Sequence, residues 1–196
     1  MPEHPLDPLL NPGSIALVGA SDRPDSPGQV LARMVIESDY AGEVYPVNPG
    51  YPEILGQTCY PYLESLPVSV EHVIIALGNQ HLESALQAAI DHGARAVTIY
   101  SSGVLEQDSE PRLMQRLFTM ARDAGVMVCG VNGMGFYNVR QDLYAGIFPR
   151  AAEIIKGRIS YIAQSGSAFT TLCHLSLIHI SEPTRRATIS RMPSSA

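Results

Sequence analysis

The sequence predicts an α/β protein built on a doubly wound parallel sheet. Predicted strands alternate with predicted helices along the chain, which is the pattern of parallel strands joined by helical crossovers. The run Val73-Ile-Ile-Ala-Leu77 is continuously apolar, which is typical of a strand that is covered on both faces. The predicted strands are residues 14–18, 43–47, 73–77, 96–100 and 126–129, and the predicted helices are residues 28–37, 81–92 and 111–124.

The helices are predicted from apolar positions that share one face and from the residues that stop them. These apolar positions are Val30, Leu31, Met34 and Val35 in the first helix and Leu82, Ala85, Leu86, Ala89 and Ile90 in the second. Gly93 and Gly125 stand where the second and third helices are expected to end. Residues 51–67 are rich in turn residues and are expected to form a surface connection.

The loop after the first strand has the features of a phosphate site. The strand ends at Gly19, small residues follow, and a helix begins after Pro27-Gly28. Unpaired N–H groups at a helix start attract an anion that lies over the loop. A dinucleotide turn requires Gly-x-Gly-x-x-Gly, whereas the next glycine after Gly19 is Gly28. The loop therefore predicts a nucleotide ligand with a different phosphate arrangement.

Similar loops follow the other predicted strands. The carboxyl ends of parallel strands lie at one edge of the sheet, and ligands bind there near the reversal of strand order. Each loop contains Gly, Ser, Asn or Pro, which let a ligand approach the backbone closely. The loops are residues 19–28, 48–50, 77–80, 101–104 and 130–136. Together they predict one extended binding site.

The composition predicts a cytoplasmic protein of the globular class. The 196 residues are 45% hydrophobic and 16% charged, with a net charge of −6 and a pI near 5.4. Neither a nucleic-acid surface nor an anionic-membrane surface is expected from this balance. No apolar run reaches the roughly 18 residues of a membrane span. Cys59, Cys129 and Cys173 form no Cys-x-x-Cys pair, so neither a disulfide framework nor a metal site is predicted.

Two segments near the C-terminus interrupt this pattern. Residues 159–163 predict a new strand, and Gln164-Ser-Gly-Ser167 and a helix from Ala168 follow it. We interpret them as the start of a second α/β domain of the flavodoxin-like type, cut short by residues 175–196. Those residues resemble the translation of a transposase-type sequencing adapter, and their Pro-, Ser- and Arg-rich end has no amphipathic period. A natural disordered tail is the alternative interpretation.

Four segments, taken together, resemble one family. They are Asn11-Pro-Gly-Ser-Ile-Ala-Leu-Val-Gly-Ala-Ser21, Val44-Tyr-Pro-Val-Asn-Pro49, Gly130-Val-Asn-Gly-Met-Gly-Phe-Tyr-Asn138 and Gln164-Ser-Gly166. In order and spacing, residues 8–174 resemble the NDP-forming acyl-CoA synthetases, which are relatives of the succinyl-CoA synthetase α subunit. The resemblance implies a Rossmann-like CoA-binding domain (14–148) after an N-terminal arm (1–13), and then the truncated start of a ligase-type domain (149–174). The adapter-like residues 175–196 are set apart as a non-native tail.

The resemblance also implies a CoA site that follows the five loops. The CoA phosphates would be lined by Gly19, Ala20, Ser21, Ser26 and Gly28, with Arg23 as a cationic partner. Asn48 and Pro49 would lie near the adenosine, and Asn132 would lie near the thioester end. The pantetheine arm would be followed by Leu77, Gly78, Ser101, Ser102 and Gly103. Two positions depart from the family, which commonly has proline in place of Gly78 and of Val131.

The resemblance implies a reaction for the full-length parent enzyme. There, a small carboxylic acid, CoA and ATP are interconverted with acyl-CoA, ADP and phosphate through an acyl phosphate and a phosphohistidine, with Mg²⁺ and an ATP-grasp domain or subunit. The family's catalytic histidine belongs to the second domain, so this fragment is expected to be inactive and no catalytic residue is assigned. His72, His81 and His92 are expected to be packed or solvent-facing.

Two other functions are compatible with the residues. A stand-alone CoA-binding or CoA-sensing module would use the same loops without the downstream domains. An NAD-dependent oxidoreductase domain would share the fold. Against it, the first loop lacks the second fingerprint glycine, and Val47-Asn48 stands where an acidic residue would hold the ribose hydroxyls.

Overall fold

The computed structural model describes residues 4–147, 156–157, 160–163, 165–169 and 171–172. The chain forms two compact units, Met1–Arg150 and Ala151–Ala196, and all the predicted site residues belong to the first. In the described part of the chain, no helix has both the length and the apolar character needed to span a bilayer.

The first unit is organised around a parallel sheet, which confirms the predicted α/β class. The strands are β1 (Ser14–Val18), β2 (Glu43–Val47), β3 (Glu53–Ile54), β4 (Gln57–Thr58), β5 (His72–Ile75), β6 (Ala96–Ile99), β7 (Met127–Cys129), β8 (Gly135–Asn138) and β9 (Leu143–Gly146). Within the described residues, the parallel sheet has the order β2-β1-β5-β6-β7, and β3–β4 and β8–β9 are antiparallel hairpins. The helices are α1 (Asp7–Leu10), α2 (Pro27–Ile36), α3 (Leu82–Asp91) and α4 (Leu113–Asp123).

The parallel sheet has a hydrophobic core on each face. Along β1, Ala16 joins the core that contains the apolar faces of α3 and α4, whereas Ile15 and Leu17 join the core that contains the apolar face of α2. Successive side chains of a strand point to opposite faces, so each central strand contributes to both cores. The three apolar residues of β5 are all 0% exposed. Burial on both faces explains why these strands read as continuous apolar runs.

The hairpin β8–β9 completes the core beneath α2 and is not predicted by the sequence pattern. Leu143 and Ala145 of β9 are completely buried there. Tyr144 between them is also buried, so β9 is apolar on both faces, but the strand has only four residues and ends in glycine, which makes it a weak strand signal. The hairpin begins at Gly135, inside the segment 130–136 predicted as a loop.

Local sequence signals set the helix ends. Ser26 caps α2, because its Oγ accepts a hydrogen bond from the Gln29 N–H at 3.2 Å. Pro27 occupies the first turn, where the N–H that it lacks would have no intrahelical partner. Gly93 follows α3 with a φ of +88°, the left-handed conformation that ends many helices. The predicted stop at this glycine is confirmed.

Residues 51–67 connect β2 to β5 and are mostly exposed, as their turn-rich sequence predicts, but the segment contains regular structure and buried residues. They form β3, β4 and a short 3-10 helix, and Ile54, Cys59 and Leu63 are at most 6% exposed. Ile54 and Cys59 join the core beneath α2, whereas Leu63 joins the other core. The surface connection is confirmed, but its three buried residues are not predicted, because turn residues mark changes of chain direction and leave the apolar residues between them free to pack inward.

The second unit is described in part. The strand prediction for residues 159–163 is wrong where it can be compared, since residues 160–163 have no strand conformation, and Ile159 lies outside the described residues. A strand requires a hydrogen-bonded neighbour, which an apolar run alone does not supply. The helix predicted from Ala168 already includes residues 166 and 167, and the Phe169 N–H donates to the Ser165 carbonyl oxygen at 3.1 Å. Gln164, Cys173, His174 and residues 175–196 lie outside the described residues.

Candidate functional site

The carboxyl ends of the five parallel strands form the candidate site. The strand order reverses beside β1, because the chain places β2 on one side of β1 and β5 on the other. Ligands of open α/β sheets bind at such a reversal. The loops after β1 and β5 touch there, since a Cβ built on Gly19 would lie 2.7 Å from the Ala76 carbonyl oxygen.

The first loop brings the start of α2 against the end of β1. A Cβ built on Gly28 would lie 2.1 Å from the Gly19 carbonyl oxygen, so no side chain fits at this position. Gly19 has a φ of +89°, which residues with a side chain rarely adopt. The Gly28 N–H belongs to the first helical turn and has no intrahelical partner. The loop therefore offers a backbone donor at the positive end of a helix, as an anion site requires.

Ser26 and Arg23 have different roles in this loop. The Ser26 hydroxyl donates to the Arg23 carbonyl oxygen at 2.8 Å and also caps α2, so it holds the loop in shape. The Arg23 side chain is exposed. Of the described residues that line the adjacent cleft, Arg23 alone is charged. The cleft has a volume of about 210 Å³ and is lined by Gly19, Ser21, Arg23, Ser26, Pro27, Gly28, Asn48, Ala76 and Leu77.

Asn48 joins the loop after β2 to the first loop. Its Nδ2 donates to the Ala20 carbonyl oxygen at 2.7 Å, and its Oδ1 accepts from the Gly50 N–H at 2.8 Å. Pro49 lies between these two fixed residues. The Ala20 methyl group is buried in the core, so this residue can offer a ligand only its backbone.

Tyr51 makes a further contact between the segment after β2 and the first loop. The Tyr51 and Ser21 hydroxyl oxygens are 3.3 Å apart, and the Ser21 Oγ accepts from the Arg23 N–H at 3.0 Å. The turn that carries Arg23 is therefore tied to the segment that leads into β3.

The loops after β5, β6 and β7 are joined in the same way. The Ser101 hydroxyl donates to the Leu77 carbonyl oxygen. The Asn132 N–H donates to the Ser101 carbonyl oxygen at 2.8 Å, and a Cβ on Gly103 would lie 3.1 Å from the Val131 side chain. The five loops thus form an unbroken series of contacts along the sheet edge, in the order of the strands that they follow.

A family model agrees with this geometry. The model described as a CoA binding domain matches residues 13–138, which contain β1 to β8 and all five loops. The chain belongs to the CoA-binding domain family. The resemblance to NDP-forming acyl-CoA synthetases is confirmed at the level of this domain by the relatives described next.

Two curated relatives of this CoA-binding domain are much longer than the chain. It is 32% identical over 134 residues to a trans-feruloyl-CoA synthase from an unknown prokaryotic organism, which covers 68% of this chain and 19% of the relative. It is 30% identical over 162 residues to the ADP-forming acetate–CoA ligase II of Archaeoglobus fulgidus, which covers 82% of this chain and 24% of the relative. The chain thus spans about a fifth to a quarter of these relatives.

Solved structures show the same fold. A dinucleotide-forming acetyl-coenzyme A synthetase 1 from Candidatus Korarchaeum cryptofilum, solved with phosphate and ADP, has a TM-score of 0.80 at 28% identity, covering 89% of this chain and 37% of that chain. A hypothetical protein from Pyrococcus horikoshii has a TM-score of 0.53 at 26% identity, covering 71% of this chain and 90% of that chain. The CoA-binding domain therefore resembles part of a synthetase and nearly all of a small protein.

The predicted site residues of the CoA-binding domain fall into two groups. Gly19, Ser21, Arg23, Ser26, Gly28, Asn48 and Leu77 line the cleft. Ala20, Pro49, Gly78, Ser101, Ser102, Gly103 and Asn132 do not line it and lie in or beside the neighbouring loops. Within the second group, Ala20 and Pro49 belong to the loops beside the cleft, and the other five residues extend from it toward β7, so the cleft is part of a longer surface.

Sequence reasoning missed four residues of this surface. Pro27 and Ala76 line the cleft, and the side chains of Tyr51 and Asn79 hydrogen-bond to predicted site residues. Asn79 could have been singled out, because asparagine side chains in loops often bond to backbone groups. The partner of Tyr51 lies 30 residues away in the chain, and no local signal identifies it.

A second cleft of the CoA-binding domain, of about 330 Å³, lies beside the edge strand β2 and the end of α2. Its polar side chains include Glu43 and Tyr45, and the Tyr45 hydroxyl donates to the Glu43 carboxylate at 2.9 Å. A carboxylate disfavours a phosphate ligand. Size therefore does not identify the phosphate site here, whereas the lining chemistry favours the smaller cleft.

Of the three histidines considered in the sequence, His72 and His92 are bonded within the fold and His81 is exposed, which confirms that they are packed or solvent-facing. His72 is the first residue of β5, not a residue before it, and is completely buried. Burial lowers its pKa to about 3, although the Leu9 backbone favours the protonated ring. His92 accepts a hydrogen bond from the Val70 N–H at 3.2 Å. In the described residues, no cluster of three or more His, Cys, Asp or Glu side chains is placed to hold a metal ion.

Proposed function

We propose that the chain binds CoA along this sheet edge and serves as the N-terminal CoA-binding part of an NDP-forming acyl-CoA ligase. In the complete enzyme, a small carboxylic acid, CoA and ATP would be converted to acyl-CoA, ADP and phosphate through a phosphohistidine. The histidine, the ATP and Mg²⁺ site and an ATP-grasp domain or subunit would lie outside this chain. The chain by itself would bind CoA without turning it over.

The observation that carries the proposal is the contact between α2 and β1 within a domain of this family. Gly28 and Gly19 approach so closely that the first turn of α2 lies directly at the strand end. An α2 N-terminus and an exposed Arg23 then face one cleft. This local arrangement can hold phosphates even though the whole chain carries a net charge of −6.

The roles of the residues follow from the shape of CoA. The phosphates would bind at the first loop, where Arg23 and the Gly28 N–H are available. The adenosine would lie near Asn48 and Pro49. The pantetheine arm would follow the loops that carry Leu77, Gly78 and Ser101 to Gly103, and the thiol would approach Asn132. The proposed path runs along the series of loop contacts from β2 and β1 to β7.

A calorimetric titration of the 196-residue chain with CoA, dephospho-CoA and NAD tests the proposal. We expect saturable binding of CoA and weaker binding of dephospho-CoA, because the latter lacks the 3′-phosphate. No response to CoA at millimolar concentration would contradict CoA binding. NAD binding that is tighter than CoA binding and competes with it would instead support an oxidoreductase domain.

A stand-alone CoA-binding or CoA-sensing module is the second candidate. It is favoured by the P. horikoshii protein, since the chain covers 90% of that protein and the likeness therefore needs no further domain. Sequencing the intact gene past the codon for Cys173 separates the two candidates. A reading frame that encodes a histidine-bearing second domain supports the ligase, and a stop codon soon after the first domain supports the module.

Both candidates include a cytoplasmic location. Cys59 and Cys129 are free thiols in the structure, which agrees with a reducing compartment. Fractionation of the native host with an antibody against the chain measures the location directly, and recovery in a membrane or secreted fraction would contradict it.

A further inference from the structure

The side chain of Asn79 links the loops after β5 and β6 through three hydrogen bonds. Its Nδ2 donates to the Val104 carbonyl oxygen at 2.7 Å and to the Ser102 Oγ at 3.1 Å. Its Oδ1 accepts from the Gly103 N–H at 2.9 Å. Val104 O can only accept and Gly103 N–H can only donate, so these partners fix which end of the amide faces each of them.

This link determines which hydrogen-bonding role remains to Ser102. The Ser102 Oγ accepts from Asn79 and lies 3.4 Å from the Val104 N–H, which also donates to it. A serine hydroxyl has two lone pairs and one hydrogen. With both lone pairs directed at donors within the loops, the hydroxyl hydrogen is left to donate to another group.

The neighbouring Ser101 is left with the opposite role. Its hydroxyl hydrogen is used by the Leu77 carbonyl oxygen, so only its lone pairs remain. Both serine side chains are partly exposed. Adjacent residues of one loop thus present an acceptor at Ser101 and a donor at Ser102.

We propose that Ser101 and Ser102 recognise an amide group of the ligand and that Asn79 is the positioning residue that sets the polarity of Ser102. An amide offers an N–H, which Ser101 can accept, and a carbonyl oxygen, to which Ser102 can donate. The inference rests on the proposed function, because the pantetheine arm of CoA supplies such amides and its nucleotide end does not. It adds the chemical group that this part of the site selects.

The test compares CoA with adenosine 3′,5′-bisphosphate, a nucleotide probe without the pantetheine arm. The 196-residue chain and the variants Ser102→Ala, Asn79→Ala and Asn79→Ala/Ser102→Ala are titrated with both probes by calorimetry. Ser102→Thr keeps the hydroxyl and serves as the rescue variant. Gln87→Ala changes an exposed side chain of α3, which pairs with Asp91 and lies outside the five loops, and serves as the control.

The expected pattern separates positioning from general damage. Loss of one hydrogen bond is expected to weaken CoA binding roughly three- to tenfold in Ser102→Ala and in Asn79→Ala. The bisphosphate affinity should change less than about twofold, and the double variant should bind CoA about as well as the weaker single variant. Ser102→Thr and Gln87→Ala should stay close to the wild-type chain.

Several outcomes would overturn the inference. Unchanged CoA affinity in Ser102→Ala would remove the donor role of Ser102, and additive losses in the double variant would show that Asn79 acts separately. Equal losses for both probes would indicate a general disturbance of the fold. These results differ from a failure of the proposed function, in which the wild-type chain itself does not bind CoA.

Discussion

At the amino end of β5 a polar side chain is enclosed by the fold, whereas at the carboxyl ends of the strands polar side chains lie between loops and are partly exposed. His72, at the start of β5, is 0% exposed, and its Nε2 lies 2.8 Å from the Thr98 hydroxyl oxygen. The Tyr40 hydroxyl donates to the Pro12 carbonyl oxygen at 2.6 Å, and burial raises the pKa of Tyr40 to about 12. The Nε2 atom of His72 and the hydroxyl group of Tyr40 are thus bonded to groups within the fold.

The polar groups at the carboxyl ends form hydrogen bonds between loops and keep part of their hydrogen-bonding capacity. Asn48 connects two loops, and the Ser101 hydroxyl connects two more. Burial lowers the pKa of His72, which lies away from these loops, at the opposite end of β5 from Leu77. In this domain a strongly shifted pKa therefore marks burial, and the binding surface is recognised by loop geometry.

The largest effect on binding is expected from Gly28→Ala. The added Cβ would meet the Gly19 carbonyl oxygen at 2.1 Å and push α2 away from β1. Overpacking costs roughly 1–3 kcal/mol, which corresponds to a loss of up to about 100-fold in CoA affinity. Gly13→Ala is the control at the other end of β1, where the nearest atom would be 3.5 Å away. Calorimetry should show wild-type affinity for Gly13→Ala, and equal losses in both variants would remove the contrast between the two ends.

The amino end is tested by the pH dependence of unfolding. The pKa of His72 is about 3 in the folded chain, below its ordinary value of 6.5. The unfolded chain binds this proton first, so the stabilisation is complete above pH 6.5 and is lost as the pH falls toward 3. The expected loss is about 2 kcal/mol between pH 7 and pH 5.

Urea unfolding of His72→Leu at the two pH values measures this effect. The variant should lose most of the pH dependence, whatever its absolute stability. His81→Leu replaces an exposed histidine and is the control, which should keep the wild-type slope. The carboxylates of Glu83 and Asp108, whose pKa values are lowered by hydrogen bonds from Arg116 and from the Leu113 N–H respectively, titrate below this window. An unchanged slope in His72→Leu would show that another group is responsible.

The sequence is sufficient to predict the central strands because their signal is local. Residues 73–77 are apolar without interruption, and the structure buries the corresponding strand on both faces. The hairpin β8–β9 has only a weak signal, since each strand has four residues, β8 begins with Gly135 and β9 ends with Gly146. Ile54 and Cys59 likewise lie in the core because of tertiary packing, and the turn residues around them do not indicate this burial.

The candidate site was predictable as a set of loops but not as a set of bonds. The rule that ligands bind at carboxyl ends selects the loops that contain Gly19, Asn48 and Ser101. Which side chain holds which loop depends on distances that the sequence does not contain. Asn79 and Tyr51 illustrate this, because each bonds to residues more than 20 positions away in the chain.

A smaller effect is expected from Arg23→Gln. An exposed cation near a phosphate contributes a modest, salt-screened attraction, so CoA affinity should fall about three- to fivefold. Arg33→Gln is the matched control, because Arg33 is exposed on α2 and pairs with Glu37 at 3.2 Å. Titrations at low and high salt should show a steeper salt dependence for the wild-type chain than for Arg23→Gln. A loss that is equal in both variants would mean that net charge, and not the position of Arg23, controls binding.

The smallest effect is expected from Tyr51→Phe, which tests whether the first loop needs its contact with the β3 segment. The change removes the hydroxyl that lies 3.3 Å from the Ser21 Oγ and keeps the ring. The contact is long and the Ser21 Oγ retains the Arg23 N–H at 3.0 Å, so CoA affinity should change less than about threefold. Tyr62→Phe alters a tyrosine that is 62% exposed and provides the baseline. A tenfold or greater loss for Tyr51→Phe alone would indicate that this hydroxyl contacts the ligand itself, and the binding surface would then extend from the sheet edge onto the β3 segment.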